Sequence, residues 1–513
     1  KLVWLKKSNA PSKTRHTSLA PRQHAPGSTL MSHSMDALSS PPFNTAMQAL
    51  QKLKHPVKGA TPFSQMDSFR PCGHHVRVML MALSGTLAAG MALGHTSAAM
   101  PSIERRFWRD APSGPPENRW IPDSLFLGAT VGALVSGILL HIAGHRRTLL
   151  LSSGGLTSFW VSLMLANRVS MMVVSRVAIG ICVGVMTNCV RLYVTDVAPP
   201  AKRTLYGGLV EVSTSVGMLC AYAMAGFAWQ QQAVGCAMAS VPMMALQRYV
   251  IENPRWLMSK HLSLDADTSV MRLYGLDPPQ DFRESKKKGA EEHKPASTSS
   301  RLWPSDVRVV STCLLLYLLQ NISGAQMCLL RAVQVMSNVV VEVPPQFLAV
   351  VLVFSHLACT TLATALTPLT NRRTQLGISA FLVAVTLFIF RPLDHLTFTH
   401  WSVTEQSGKT SWGAAISIGM LVVAYSVGVC HLPTLLTGEL MPSRIRLLGS
   451  SIVRSSRWLL AFLVLYFDVD VLTAFQQKGP LLALSLTVAV VTATAIYLIP
   501  ETEGRSLGQI EHD

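Results

Sequence analysis

The chain is organised by long stretches from which polar side chains all but vanish. Residues 78–100 contain a single ionisable side chain, His95. Comparable apolar runs begin near Asp123, Thr148, Met171, Leu205 and Ala233. After a polar gap, others begin near Val309, Gln346, Leu376, Trp412, Leu447 and Pro480. A helix rising 1.5 Å per residue needs about 20 residues to cross roughly 30 Å of hydrocarbon. The pattern therefore predicts six membrane spans, a gap and six more. Apolar helices of a soluble core are the bland alternative, but a dozen long ones argue against it.

Composition supports the membrane reading. Hydrophobic residues make up 49% of the 513 and charged residues 14%, with a mean hydropathy of +0.34. Soluble domains carry about 25% charged residues, so several water-facing surfaces could not be coated. Lys and Arg still outnumber Asp and Glu by 44 to 27, for a net charge of +17. Such a balance fits a nucleic-acid binder or a membrane protein with basic cytoplasmic loops. The uninterrupted apolar runs favour the membrane protein, and no nucleic-acid partner is expected.

The loops orient the chain. His145, Arg146 and Arg147 follow span two, Lys202 and Arg203 span four, Arg372 and Arg373 span eight, and Arg444 and Arg446 span ten. By the positive-inside rule these loops face the cytoplasm. Both termini are then cytoplasmic in a multi-pass protein, expected in the plasma membrane. Residues 1–75 hold ten Lys and Arg against two acids and cannot bury enough surface to offset the entropy of ordering. They are expected to form a disordered basic tail that touches anionic lipid. The remaining organisation reads as an N-terminal six-helix half at 76–257, a cytoplasmic linker at 258–308, a C-terminal half at 309–500 and a short cytoplasmic tail at 501–513.

Eight of the nine cysteines lie in apolar runs and Cys72 in the tail, so no disulfide framework is expected. Phosphate-binding glycine loops, a nucleophile elbow, paired catalytic carboxylates and metal-like spacing do not emerge, which points away from an enzyme and from any cofactor or metal. His95 and His431, lone histidines in apolar spans, read as hydrogen-bonded packing.

An internal echo is the most informative pattern. Asp196-x6-Arg203 follows span four and Glu439-x6-Arg446 follows span ten. Gly144-His145-Arg146-Arg147-Thr148 after span two matches Asn371-Arg372-Arg373-Thr374 after span eight. Glu252 and Arg255 after span six match Glu501 and Arg505 after span twelve. Duplicated six-helix bundles enclosing a midplane site are a transporter arrangement. Acid and Arg at matching helix ends can pair and latch the halves together, and rocking would break those pairs. Arg146, Asp196, Arg203, Glu252, Arg255, Arg372, Arg373, Glu439, Arg446 and Glu501 are the candidate gating charges. Topology signals and solvated caps are the plain alternative.

The chain resembles the sugar porter family of the major facilitator superfamily, which includes glucose and trehalose facilitators, over residues 76–513. Glu252-Asn253-Pro254-Arg255-Trp256-Leu257 is similar to the family's P-E-[ST]-P-R-[WF]-L. Pro500-Glu501-Thr502-Glu503-Gly504-Arg505-Ser506-Leu507 is similar to its closing P-E-T-[KQ]-G-[KR]-S-L. Arg176, Tyr193, Asp196 and Arg203 follow its span-four pattern. The resemblance implies an all-α membrane protein with the major facilitator fold, twelve helices in two halves, carrying a sugar by alternating access in a facilitative mode.

It also implies a pocket. The span-seven motif falls on residues 320–326, with amides at Gln320, Asn321 and Gln326, which can donate to and accept from hydroxyls. Trp458 is retained. Elsewhere the pocket departs from the pattern: Glu211 and His356 stand at amide positions, Arg457 at another, and Arg331 at a Tyr position. The span-ten Trp is missing, and His141 and His145 replace charged residues of the span-two turn. Charge at membrane depth is costly and marks function or pairing. Glu211 is therefore expected to pair with Arg457 across the cavity, or to titrate with His356 and couple transport to protons; drifted residues facing water are the alternative. The absence of an acid in span one counts against coupling. A charged organic solute, or a non-transporting sensor, stays open beside the sugar.

Overall fold

A computed structural model describes residues 73–107, 120–246, 249–274, 304–340, 342–389, 412–442, 444–474 and 480–498. The expectations for residues 1–72, for most of the middle linker, for Glu501 and for the closing motif lie outside these. Among the described residues, twelve spans run in chain order. Spans one to six are Gly73–Ala98, the two arms of Trp120–Met164, Val169–Val197, Pro200–Ala223 and Trp229–Leu246. Span seven comprises Pro304–Ile322 and Ala325–Leu330, continuing into Ala332–Val339. Span eight is Pro345–Leu366 and span nine Arg372–Ile389. Span ten comprises Trp412–Ser426 and Leu432–Leu440, followed by span eleven (Arg446–Ala474) and span twelve (Pro480–Leu498). Six of the described helices are by themselves long and apolar enough to cross a membrane. Others are shorter or broken, as suits helices that carry polar groups into an interior. The segment read as a linker begins with the helix Ser263–Tyr274, whose Leu273 is buried.

The distribution of polarity is inverted relative to a soluble protein. Val174, Met238, Phe381 and Val490 point outward with 65–68% of their surface exposed, while Asp123, Arg176, Arg191, Glu211, Gln320, His356 and Arg454 are buried. An apolar exterior of this extent needs lipid, and a polar interior needs partners within the protein.

Glycines make two of the breaks. At Gly144 the backbone takes φ 77° and ψ 176°, so the helical run Trp120–Met164 folds back on itself as two spans. A side chain there would also meet the Glu252 carboxylate at 3.0 Å. Gly324, at φ 73°, starts the second segment of span seven. Both residues have a positive φ, which favours glycine.

Spans two and four are packed backbone to backbone. A Cβ on Gly128 would stand 2.1 Å from the Val177 carbonyl oxygen, and one on Gly180 the same distance from that of Leu125. Small residues of this kind let membrane helices approach closely. The halves meet most extensively between spans two and eleven and between spans five and eight. Gly180→Val is expected to lower stability by about 3 kcal/mol, the upper end of overpacking, read as a fall in the thermal midpoint of detergent-purified protein. Gly419→Ala, where a Cβ meets nothing within 4 Å, is expected to leave the midpoint unchanged.

Candidate substrate site and its two gates

Span four brings Arg191 to the centre of the molecule, span five brings Glu211, and span eleven brings Arg454 and Arg457. All four are buried. Arg191 Nη2 donates to Glu211 Oε2 at 3.0 Å, and Arg457 Nη2 lies 3.8 Å from Glu211 Oε1. The Glu211–Arg457 pair across the halves is thus present, but Arg191 is the nearer partner. Arg454 precedes Arg457 on the same face of span eleven, as residues three apart do. Their guanidinium carbons stand 5.4 and 5.7 Å from the centroid of the Tyr317 ring, within cation–π range. Arg457 also lies 5.1 Å from the Trp458 ring, which is buried and tilted against Phe126. Two guanidiniums, of Arg191 and Arg457, therefore share the Glu211 carboxylate, and that of Arg454 joins the cluster through the Tyr317 ring.

Two of the three amides donate to backbone in this conformation. Gln320 Nε2 donates to the Cys430 carbonyl at 2.7 Å, and Asn321 Nδ2 to the Tyr317 carbonyl one turn back at 2.8 Å. Gln326 Oε1 is buried without a hydrogen-bond partner among the described residues. His356 bridges the halves, with Nε2 3.1 Å from Ser215 Oγ of span five and Nδ1 2.7 Å from Ser426 Oγ of span ten. His431 Nε2 lies 3.1 Å from Thr367 Oγ1. His95 does more than fill space: its Nδ1 is 2.6 Å from Arg176 Nη2, and Thr96 Oγ1 accepts from the same guanidinium at 3.4 Å. An apolar groove of about 560 Å³ between spans eight and ten, lined by Leu352, Trp412 and Val423 among others, lies away from these charges.

On the face bearing the basic loops, Asp196 accepts from Arg446 Nη1 at 2.6 Å and from Asn253 Nδ2 at 2.8 Å. Arg372 pairs with Glu439 in its own half and donates from Nη2 to Thr204 Oγ1 of span five at 2.6 Å. Asp196–Arg446 and Arg372–Thr204 thus join the halves. Glu252 caps the bend after Gly144, accepting from the backbone N–H of His145 at 2.7 Å and of Arg146 at 3.3 Å. The His145 ring is buried behind this bend, 5.8 Å from the ring of Tyr193. Asn253 Oδ1 accepts from the Arg255 N–H at 3.0 Å, capping Pro254–Ser259. Arg203 Nε donates to the Thr195 carbonyl at 3.3 Å, whereas Arg146 and Arg373 are exposed.

The halves also meet on the opposite face, through groups that the sequence pattern does not bring together. Arg331 Nη2 reaches Asp123 Oδ1 at 3.1 Å and the Leu465 carbonyl at 2.7 Å. Ser97 pairs with Gln334 and accepts from the Val333 N–H at 3.1 Å. Tyr222 donates to the Leu329 carbonyl at 2.7 Å. Arg191 and Arg454 were also missed as site residues. Their signal was a charge inside an apolar run, and for Arg454 its spacing from Arg457.

Twelve spans in two halves, joined by polar contacts on either face of a buried polar centre, are the arrangement of a major facilitator protein. Residues 78–513 match the sugar (and other) transporter family, and the chain belongs to it. It is 26% identical over 444 residues to a facilitated trehalose transporter Tret1 of Apis mellifera ligustica, covering 84% of this chain and 87% of the relative. It is 25% identical over 482 residues to the mouse solute carrier family 2, facilitated glucose transporter member 8, covering 90% and 97%. The proton:xylose symporter XylE bound to 6-bromo-6-deoxy-D-glucose superposes with a TM-score of 0.71 at 17% identity, covering 86% of this chain and 99% of that one.

Removing one partner of a buried ion pair strands the other. Asp196→Asn and Arg446→Gln are each expected to cost about 3 kcal/mol. The double variant is expected to fall short of the sum by about 1–3 kcal/mol, as measured by thermal unfolding of the purified protein.

Proposed function

We propose that the protein carries a small polyhydroxylated solute of the sugar class across a membrane by alternating access, without coupling to protons. The observation that carries this reading is the buried centre of Arg191, Glu211, Gln320, His356 and Arg457, enclosed by separate cross-half contacts on each face. Breaking Asp196–Arg446 and Arg372–Thr204 frees one side, and breaking Arg331–Asp123 and Ser97–Gln334 frees the other. Each gate is a small set of polar contacts, so two global states of similar energy are within reach of a ligand's differential binding. The names of the relatives, facilitated trehalose and glucose transporters, agree with a sugar-like cargo.

Gln320, Asn321 and Gln326 are assigned to the solute's hydroxyls, releasing their backbone bonds as it enters. Trp458 forms the apolar wall, and Glu211, His356 and Arg457 shape the polar side. Glu211 is occupied as counter-ion of Arg191 and Arg457, so it serves as a fixed charge and not as a proton carrier. Arg176 is met by His95 and Thr96, and span one offers no carboxylate to relay protons. Arg203, Glu252 and Arg255 brace the loops that carry the Asp196 latch. The basic face is assigned to the cytoplasm by its Lys and Arg, with both termini there and the plasma membrane as the setting. The work done is transport and not catalysis.

Counterflow in proteoliposomes, with labelled glucose, trehalose and glucuronate offered in turn, tests this. Exchange of at least one solute is expected, unchanged by an imposed proton gradient. Oxidative cross-linking of Ser97→Cys with Gln334→Cys is expected to abolish it, because that gate can no longer open. Exchange that persists in the cross-linked protein would sink alternating access, and gradient-driven accumulation would return Glu211 or His356 to a proton-carrying role.

A further inference from the structure

The hydrogen-bonding inventory of the centre is lopsided. A sugar hydroxyl both donates and accepts, so a site for a neutral sugar balances the two. Here the buried side-chain atoms left without a hydrogen-bond partner among the described residues are mostly donors: Arg191 Nε and Nη1, Arg454 Nε and Nη1, Arg457 Nε, Tyr317 OH and Trp458 Nε1. Gln320 Oε1 and Gln326 Oε1 are the unmet acceptors beside them, and the Tyr317 hydroxyl can accept as well as donate. Arg454 is 1% exposed, and Arg191 and Arg457 are 7% exposed, so bulk solvent barely reaches these guanidiniums. Formal charge tells the same story. Three guanidiniums against Glu211 leave the cluster two positive charges in excess at membrane depth. Unpaired buried charge is strongly unfavourable, and proteins retain it where a ligand completes it.

We infer that the transported solute bears an anionic group, a carboxylate or a phosphate ester on a polyhydroxylated frame, and that Arg454 together with Arg191 and Arg457 receives it. The guanidinium fork matches the acceptor pairs of both groups, and neither anion needs an acceptor from the protein. Glu211 keeps its bonds to Arg191 and Arg457 and orients the two planes. Gln320 and Gln326 take the neutral hydroxyl end of the same solute, and the rings of Tyr317 and Trp458 carry the cations on their faces. This proposal rests on the transport reading above and narrows its substrate class.

The test compares counterflow of labelled glucose, glucuronate and glucose 6-phosphate by the full-length protein in proteoliposomes. One of the two anions is expected to half-saturate exchange at a concentration at least tenfold below that of glucose. Arg454→Gln is expected to raise that concentration tenfold or more for the anion and so to shrink the ratio of glucose to anion half-saturation, while Arg454→Lys retains part of the preference. The wild-type comparison decides the question even where a variant does not fold. Glucose preferred over both anions overturns the anion proposal and leaves transport standing. No exchange of any of the three, by protein that still unfolds cooperatively, overturns transport and this proposal together.

Discussion

Burying three guanidiniums with one carboxylate inside a bilayer is the constraint from which much of the architecture follows. Each charge would be unfavourable there by several kcal/mol without partners, so spans four, five and eleven must converge closely enough for Arg191, Arg457 and Glu211 to meet. Convergence in turn demands thin helix contacts elsewhere, which Gly128 and Gly180 supply between spans two and four. The outer surface is released from polar duty and can be apolar throughout, as lipid requires. Polar residues therefore gather along the seam between the halves, where a solute can also reach them.

The contacts between the halves differ in chemistry from face to face. Those on the basic face rest on charge held at helix ends, with Asp196 shared between Arg446 and Asn253. Those on the far face add neutral bonds, from Ser97 to Gln334 and from Tyr222 to the Leu329 carbonyl, to the Asp123–Arg331 ion pair. His356 spans the seam between them through two serines. It thus ties spans five, eight and ten together at one ring.

Much of the fold was legible in the sequence because a membrane helix is announced by hydropathy alone. The turn after span two and the repeated acid and Arg at loop ends were legible for the same local reason. Pairing was not. Asp196 and Arg446 are 250 positions apart and Asp123 and Arg331 are 208 apart, and an acid's spacing from the Arg beside it does not say which distant Arg it meets. The echo of Asp196-x6-Arg203 in Glu439-x6-Arg446 suggested pairs that join the halves without saying which acid meets which Arg, and the contact that joins them runs from Asp196 of the first motif to Arg446 of the second. At the centre, Glu211, His356 and Arg457 stood out as departures from a neutral pocket. Arg191 and Arg454 were equally visible as letters, but only the packing of spans four, seven and eleven brings Arg191 to Glu211 and Arg454 to the Tyr317 ring.

The excess charge at the centre also makes the molecule an electrical device. When one gate opens, the cluster comes to the potential of the compartment it faces, and each uncompensated charge shifted across the membrane field contributes about 2.3 kcal/mol per 100 mV. In a cell whose interior is negative, the empty carrier would be drawn to rest open toward the interior. Occupancy by an anion would cancel part of that bias, so voltage would act most strongly on the return of the unloaded protein.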